Sequence, residues 1–220
     1  MNCWSLPARH VSLGLVLLVA ACSGETEQTA DAPNTAAEVA AVEPIDERTE
    51  ADATASSASD DLAALPVREG PRSQTTGGVP HIQTDAIPHP DIDAELRQRV
   101  FAIPGIEEGE SALSLPGARS LLLPDDLELA RPDVLPGGRE FGHFHPDGSL
   151  HLWLPVDRAL EVNETKWGEL HPLVGRDNFW DGVVMIYVPE SAAEADIALQ
   201  LIIDAYSYIV GTQPGPASLD

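Results

Sequence analysis

The stretch REFGHFHPDGSLHLWLP, Arg139 to Pro155, reads as a β-hairpin, and the rest of the chain is placed by it. Pro146-Asp147-Gly148 suits a three-residue loop: proline presets φ, the aspartate bonds its own backbone, and glycine takes the left-handed position. The loop sets a register in which His145 pairs with Ser149, Phe144 with Leu150, His143 with His151 and Phe141 with Trp153. Strand periodicity then sorts the side chains into two faces. Gly142, Phe144, Leu150, Leu152 and Leu154 make the core face. Phe141, His143, His145, Ser149, His151 and Trp153 share the other, and Glu140 falls with the core side. An aromatic, histidine-lined sheet face is the chemical feature of the sequence.

Outside this stretch the chain divides by composition. It holds 220 residues, 36 acidic against 12 basic, with a net charge of −24. Residues 1–22 read as an export signal: Arg9 precedes an apolar stretch, Val11 to Ala21, too short to span a bilayer. The ending Val19-Ala20-Ala21-Cys22 resembles a bacterial lipobox, which implies cleavage before Cys22 and lipidation of its thiol. Ser23 at the next position implies the outer membrane, so the expected location is the cell envelope, lipid-anchored. Cys3 leaves with the signal, and no free thiol is left for a disulfide, a nucleophile or a thiolate metal site.

Residues 23–75 contain no aromatic residue and hold twelve Asp or Glu against three Arg. A segment this polar and charged buries too little apolar surface to offset chain entropy, so it is expected to be a disordered, extended spacer. An acidic docking segment for a basic partner is the alternative.

Residues 76–220 form the expected folded domain. Asp91 is placed to cap a helix to about Phe101, with Ile92, Leu96 and Val100 on its apolar face. Gly105 to Glu110 reads as an acidic loop. Ala112–Leu115 and Ala118–Leu123 read as strands, and Pro124–Gly138 as loop. Pro155 opens a helix to about Trp167 that buries Val156, Leu160 and Trp167. Glu169–Val174 reads as a short strand and Asp177–Gly182 as a turn. Val183–Val188 is an interior strand. Ser191 with Glu194 forms a capping box for the last helix, which Gly211 closes. The hairpin implies an antiparallel sheet and the amphipathic helices must cover it, giving an α+β two-layer domain.

Four stretches together, GREFGHFHPDGSLHLWLP, WGEL followed by His171-Pro172-Leu173, VVMIYVP and the terminal AYSY, resemble the bacterial and fungal "luciferase domain" family over about Ile92 to Val210. The resemblance implies a fold and brings no agreed reaction, cofactor or catalytic residues. The order of elements is also similar to the YjbR/MmcQ-type α+β domains, some described as DNA-binding. Charge opposes nucleic acid as a partner here: residues 76–220 hold 24 acidic and 8 basic residues, so a polyanion is repelled.

The site candidates follow from the hairpin face. Phe141, His143, His145, His151, Trp153 and His171 are the expected ligand-binding residues, for a small molecule, a peptide or an envelope protein. His143, His145 and His151 are the expected metal ligands if the site holds Zn²⁺, with His171, Glu140 or Asp147 completing the shell. The first function expected is a membrane-anchored ligand- or partner-binding lipoprotein. The alternative is a metal-dependent, hydrolase-type enzyme using the three histidines. Ser149 beside His143 and His151 offers a weaker nucleophile reading, without a G-x-S-x-G elbow.

Overall fold

The computed structural model describes residues 62–87, 89–136 and 138–215. Residues 1–61, with the expected export signal and Cys22, lie outside the described residues. Among the described residues three α-helices and six strands, with one 3-10 turn at Pro132–Val134, follow in the order α1 (Pro90–Phe101), β1 (Glu107–Glu110), β2 (Arg119–Leu122), β3 (Glu140–Phe144), β4 (Leu150–Trp153), α2 (Val156–Glu164), β5 (Gly168–Leu170), β6 (Val183–Ile186) and α3 (Ala192–Val210). The strands form one antiparallel sheet in the order β1-β2-β3-β4-β6-β5. This is the expected α+β two-layer fold. Among the described residues no helix is long and apolar enough to cross a membrane.

The hairpin has the expected register, His143 opposite His151 and Phe144 opposite Leu150. Its loop closes with His145 N–H donating to Ser149 O at 2.8 Å and with Gly148 at φ +91°. Leu152, Leu150 and Phe144 point into the apolar core with Leu121, Val184 and Ile186, and the helices cover this side. Phe101 of α1 meets Phe144 edge-on, with ring centroids 6.4 Å apart. On α3, Ser191 Oγ accepts Glu194 N–H and Gly211 sits left-handed at the end, as the capping residues require.

Several expectations need correction. The edge strand on this side of the sheet is Glu107–Glu110, while residues 112–114 form bends. An exposed acidic edge discourages pairing with other chains, and its EEGE sequence carries no apolar alternation to betray a strand. Helix α1 begins on Pro90 after His89, without a side-chain cap from Asp91. Helix α2 ends at Glu164, and it buries Arg158, Ala159 and Val162 while Leu160 is exposed. Its inward face is fixed by an ion pair that hydropathy does not see: Arg158 Nη2 lies 2.7 Å from the buried Asp204 of α3.

Residues 62–75, read from sequence as part of a spacer, lie against the domain. Trp167 Nε1–H donates to Pro66 O at 2.6 Å, Leu65 N–H to Glu161 Oε1 at 2.7 Å, and Arg68 pairs with Glu194 at 2.8 Å. Residues 62–87 are an arm on the domain, ending in a small turn where Thr75 bridges Gln83.

The hairpin face itself holds one departure. Between Leu121 and Leu122 of β2 the register against β3 slips, so Gly142 pairs with Leu121 but Glu140 with Leu122. Phe141 is the extra residue of this β-bulge. The bulge turns Phe141 to the helix side, where its ring lies 6.3 Å from that of Tyr206, and it turns Glu140 to the histidine side.

Candidate functional site

The face opposite the helices carries His143 and His145 from β3 and its loop, His151 and Trp153 from β4, and Met185 from β6. The arm and the loops around Leu113 and Phe179 roof it, leaving a cavity of about 480 Å³. Five imidazoles meet there: His81, His143, His145, His151 and His171. Val79, Leu113, Leu115, Leu173, Phe179 and Trp153 supply apolar walls. His151 is central, with ring centroids 4.7 Å from His145, 5.0 Å from His171, 5.1 Å from His143 and 5.2 Å from His81.

A continuous run of hydrogen bonds crosses the cluster. Glu140 Oε1 lies 2.8 Å from His143 Nδ1, and His143 Nε2 lies 3.0 Å from His151 Nδ1. His151 Nε2 lies 3.1 Å from His81 Nδ1, and His81 Nε2 lies 2.6 Å from Glu169 Oε1. Tyr187 O–H donates to Glu169 Oε2 at 3.3 Å, and Ser111 O–H donates to Glu140 Oε1 at 2.6 Å. A carboxylate therefore stands at each end of three imidazoles.

Partners fix the remaining two rings. Ser149 O–H donates to Asp147 Oδ1 at 2.7 Å, so Ser149 Oγ accepts at 2.8 Å from His145 Nδ1–H. That places the lone pair of His145 on Nε2. His171 Nδ1 accepts Leu173 N–H at 3.2 Å, so a neutral His171 carries its proton on Nε2. Neither His145 Nε2 nor His171 Nε2 has a hydrogen-bond partner among the described residues. The cavity thus offers one basic nitrogen and one N–H donor. The same proton placement argues against a serine nucleophile, because Ser149 gives its proton to Asp147 and not to a histidine.

Burial keeps these rings neutral. It pushes His145 down to about 4, helped by the His143 charge, although Asp147 opposes the fall. His171 falls to about 4 through burial and then the charges of His81 and His143. His151 lies well below the usual histidine range, again chiefly by burial and then by His145. At Glu140 burial acts upward, but the hydrogen bonds from His143 and Ser111 prevail and hold the carboxyl below its usual value.

Of the residues expected from sequence, His143, His145, His151, Trp153 and His171 line this one cavity, whereas Phe141 is removed to the core by the bulge. One residue, His81, escapes the sequence reading, and a second, Glu140, falls on the wrong face in it. His81 sits on the arm, and no periodicity tells where an arm lands. Glu140 was assigned to the wrong face, yet Gly142 nearby is the kind of isolated strand glycine that marks a bulge. Two triads have ring nitrogens within 4.8 Å of one another, as metal ligation requires: His143 with His145 and His151, and His81 with His151 and His171.

A family model described as the Luciferase domain matches residues 138–205, from the hairpin to the middle of α3. Proteins of Armillaria gallica and Armillaria mellea, each named "Luciferase", are 26% identical to this chain over 175 and 176 residues. These alignments cover 70% of this chain and 64% of each relative, so the chain spans just under two thirds of their length. No solved structure matches the chain. The family match includes four of the five clustered histidines and omits His81. The match takes in the sheet face that holds the histidines, and over residues 138–205 the chain carries a luciferase-like domain.

Proposed function

We propose that this domain binds a small, largely apolar molecule in the histidine cavity, through a hydroxyl on His145 Nε2 and an acceptor oxygen on His171 Nε2–H. The observation that carries the reading is the pair of unpartnered ring nitrogens, one acceptor and one donor, in an otherwise apolar recess. Its volume is within the range of small-molecule sites, about 300–1,000 Å³. Phe179 stacks on His171 with centroids 4.9 Å apart, so the donor ring is held in place before a ligand arrives. The Armillaria relatives are named "Luciferase". Their similarity supports a shared domain, and the reaction behind the name remains theirs.

Trp153 borders the cavity and reports on it. Titration of the full chain with a panel of phenols and hydroxy-ketones is expected to change its tryptophan emission saturably. The change is expected to weaken at least tenfold in His145→Ala and His171→Ala. An emission that no member of the panel changes, or one that both variants leave alone, counts against the reading.

We also infer that the mature chain begins at lipidated Cys22 and hangs from the envelope membrane, with the acidic residues before the arm as its tether. Support comes from the lipobox-like Val19-Ala20-Ala21-Cys22. In a bacterial host, Cys22→Ala should move the protein from the membrane fraction to the soluble fraction. Continued membrane recovery of that variant would refute the anchor.

A further inference from the structure

The protons of the histidine chain do not add up without a cation. Four hydrogen bonds join Glu140, His143, His151, His81 and Glu169 in sequence. Ionised carboxylates donate nothing, and three neutral imidazoles bring three N–H protons. One bond is left with two lone pairs facing each other unless the cluster holds an extra positive charge. We propose that this charge is a divalent transition-metal ion of the zinc class, held by His143 Nε2, His145 Nε2 and His151 Nδ1.

With the ion in place every proton has an acceptor. His143 Nδ1–H donates to Glu140, His145 Nδ1–H to Ser149, His151 Nε2–H to His81 Nδ1, and His81 Nε2–H to Glu169. The contact between His143 Nε2 and His151 Nδ1 then becomes two lone pairs directed at one ion. Their separation, 3.0 Å, is close to the about 3.3–3.4 Å between nitrogens that bind tetrahedral zinc at about 2.0–2.1 Å. His145 supplies the third nitrogen: it is buried, its Nε2 has no other partner among the described residues, and the three rings meet the distance limit for ligation.

The surroundings match what ligating histidines need. Such rings almost always donate their second N–H to a carboxylate or another acceptor, which fixes the tautomer and strengthens the ligand. Here Glu140 does so for His143, the Ser149–Asp147 pair for His145, and the His81–Glu169 pair for His151. Three carboxylates stand just behind three neutral ligands, the arrangement that attracts a dication. Only three protein ligands converge, so the fourth position faces the cavity, open to water or to an oxygen of a bound molecule. The triad of His81, His151 and His171 fits less well. It would take His81 Nδ1 and His151 Nε2 as ligands, leaving His151 Nδ1 to bond His143, and His171 Nδ1 already accepts a backbone N–H without any carboxylate behind it.

With the ion bound, the single lone pair of His145 Nε2 is taken, so the hydroxyl proposed above would meet the ion in place of that nitrogen; the test uses the metal alone and so separates the two readings. The full chain, stripped with chelator, is titrated with Zn²⁺ by calorimetry in buffers of different ionisation enthalpy, and with Co²⁺ by visible absorption. We expect one ion per chain, a tetrahedral Co²⁺ spectrum, and release of about one proton at neutral pH as the ion replaces the extra charge. His143→Ala and His145→Ala should each weaken binding by at least about a hundredfold, and Glu140→Gln by about ten- to a hundredfold. His171→Ala should change it by less than about threefold. Melting of each metal-free variant checks that the fold survives; a variant that does not melt cooperatively is replaced by its Gln counterpart. No stoichiometric binding, or equal affinity in His145→Ala, overturns the proposal. A hundredfold loss in His171→Ala would also overturn it, by moving the ion to the other triad.

Discussion

The two faces of the sheet are closed in opposite ways. On one, Phe141, Phe144, Leu150 and Leu152 meet α1 and α3, and stability comes from apolar area and close packing. On the other, His143, His145 and His151 lie under an arm and two loops, as buried as the core yet with ring nitrogens among the apolar side chains. Burying neutral imidazoles yields little of the hydrophobic gain and demands a partner for each ring nitrogen. The first face is built for stability, and the second trades stability for an ordered set of bases and donors.

The contrast breaks most sharply on the helix side. Phe144→Ala should cost about 3–5 kcal/mol in urea unfolding, since the ring is fully buried between Phe101 and the Arg97 guanidinium. His145→Ala should cost clearly less while abolishing ligand binding. A reversed ranking would mean that the histidine side carries the fold.

Gly142→Ala tests the join between the faces. A Cβ there would lie 2.7 Å from His151 O and 2.8 Å from Leu152 Cδ2, so β3 must shift against β4. A loss of about 1–3 kcal/mol is expected, together with weaker binding in the cavity, because the two histidine strands would move apart. A variant that is destabilised but binds normally would uncouple them.

How much of this contrast was readable in advance depends on what encodes it. The hairpin register was legible because Pro146-Asp147-Gly148 leaves few ways to close the loop. The last helix was legible from its cap, its apolar spacing and Gly211. Phe141 and Glu140 were misplaced because one extra residue inverts every face assignment beyond it. The burial of Arg158 was hidden because its reason, Asp204, lies 46 residues away. His81 was hidden because the arm reaches the site by tertiary contacts, such as Gln83 N–H to Asp147 at 3.2 Å, that leave no periodic trace.

The arm sharpens the comparison further. Arg68 is buried against Glu194, so Arg68→Ala should cost about 1–3 kcal/mol by leaving charge-assisted hydrogen bonds unmade. If the arm roofs the site, the same variant should speed hydrogen exchange at residues 74–84. Unchanged exchange there would separate the arm's anchor from its roof.

The histidine face carries a pH response of its own, beside that of paired carboxylates such as Glu194. His145 and His171 have folded values near 4, below the ordinary 6.5, so the unfolded chain binds more protons between these limits. Their contribution to stability is whole above about 6.5 and is lost progressively as pH falls from there through 4. In chelator, urea midpoints should drop from pH 7 to pH 4.5, and a His145→Gln, His171→Gln double variant should flatten the drop. An equal slope in the double variant would assign the effect to carboxylates instead.

The smallest expected effect is at Ser120, opposite His143, whose buried hydroxyl lacks a partner among the described residues. Ser120→Ala should change stability by less than about 0.5 kcal/mol, because no hydrogen bond is lost. A larger loss would show that the hydroxyl is held by something in solution.

The most direct test of the histidine face is the position of the ring protons, read by long-range ¹⁵N–¹H correlation of the chelated protein at neutral pH. We expect His143 and His145 to carry hydrogen on Nδ1, toward Glu140 and Ser149, and His171 to carry it on Nε2. A His145 ring protonated at Nε2 with Nδ1 bare, or rings averaging freely between tautomers, would contradict the built site.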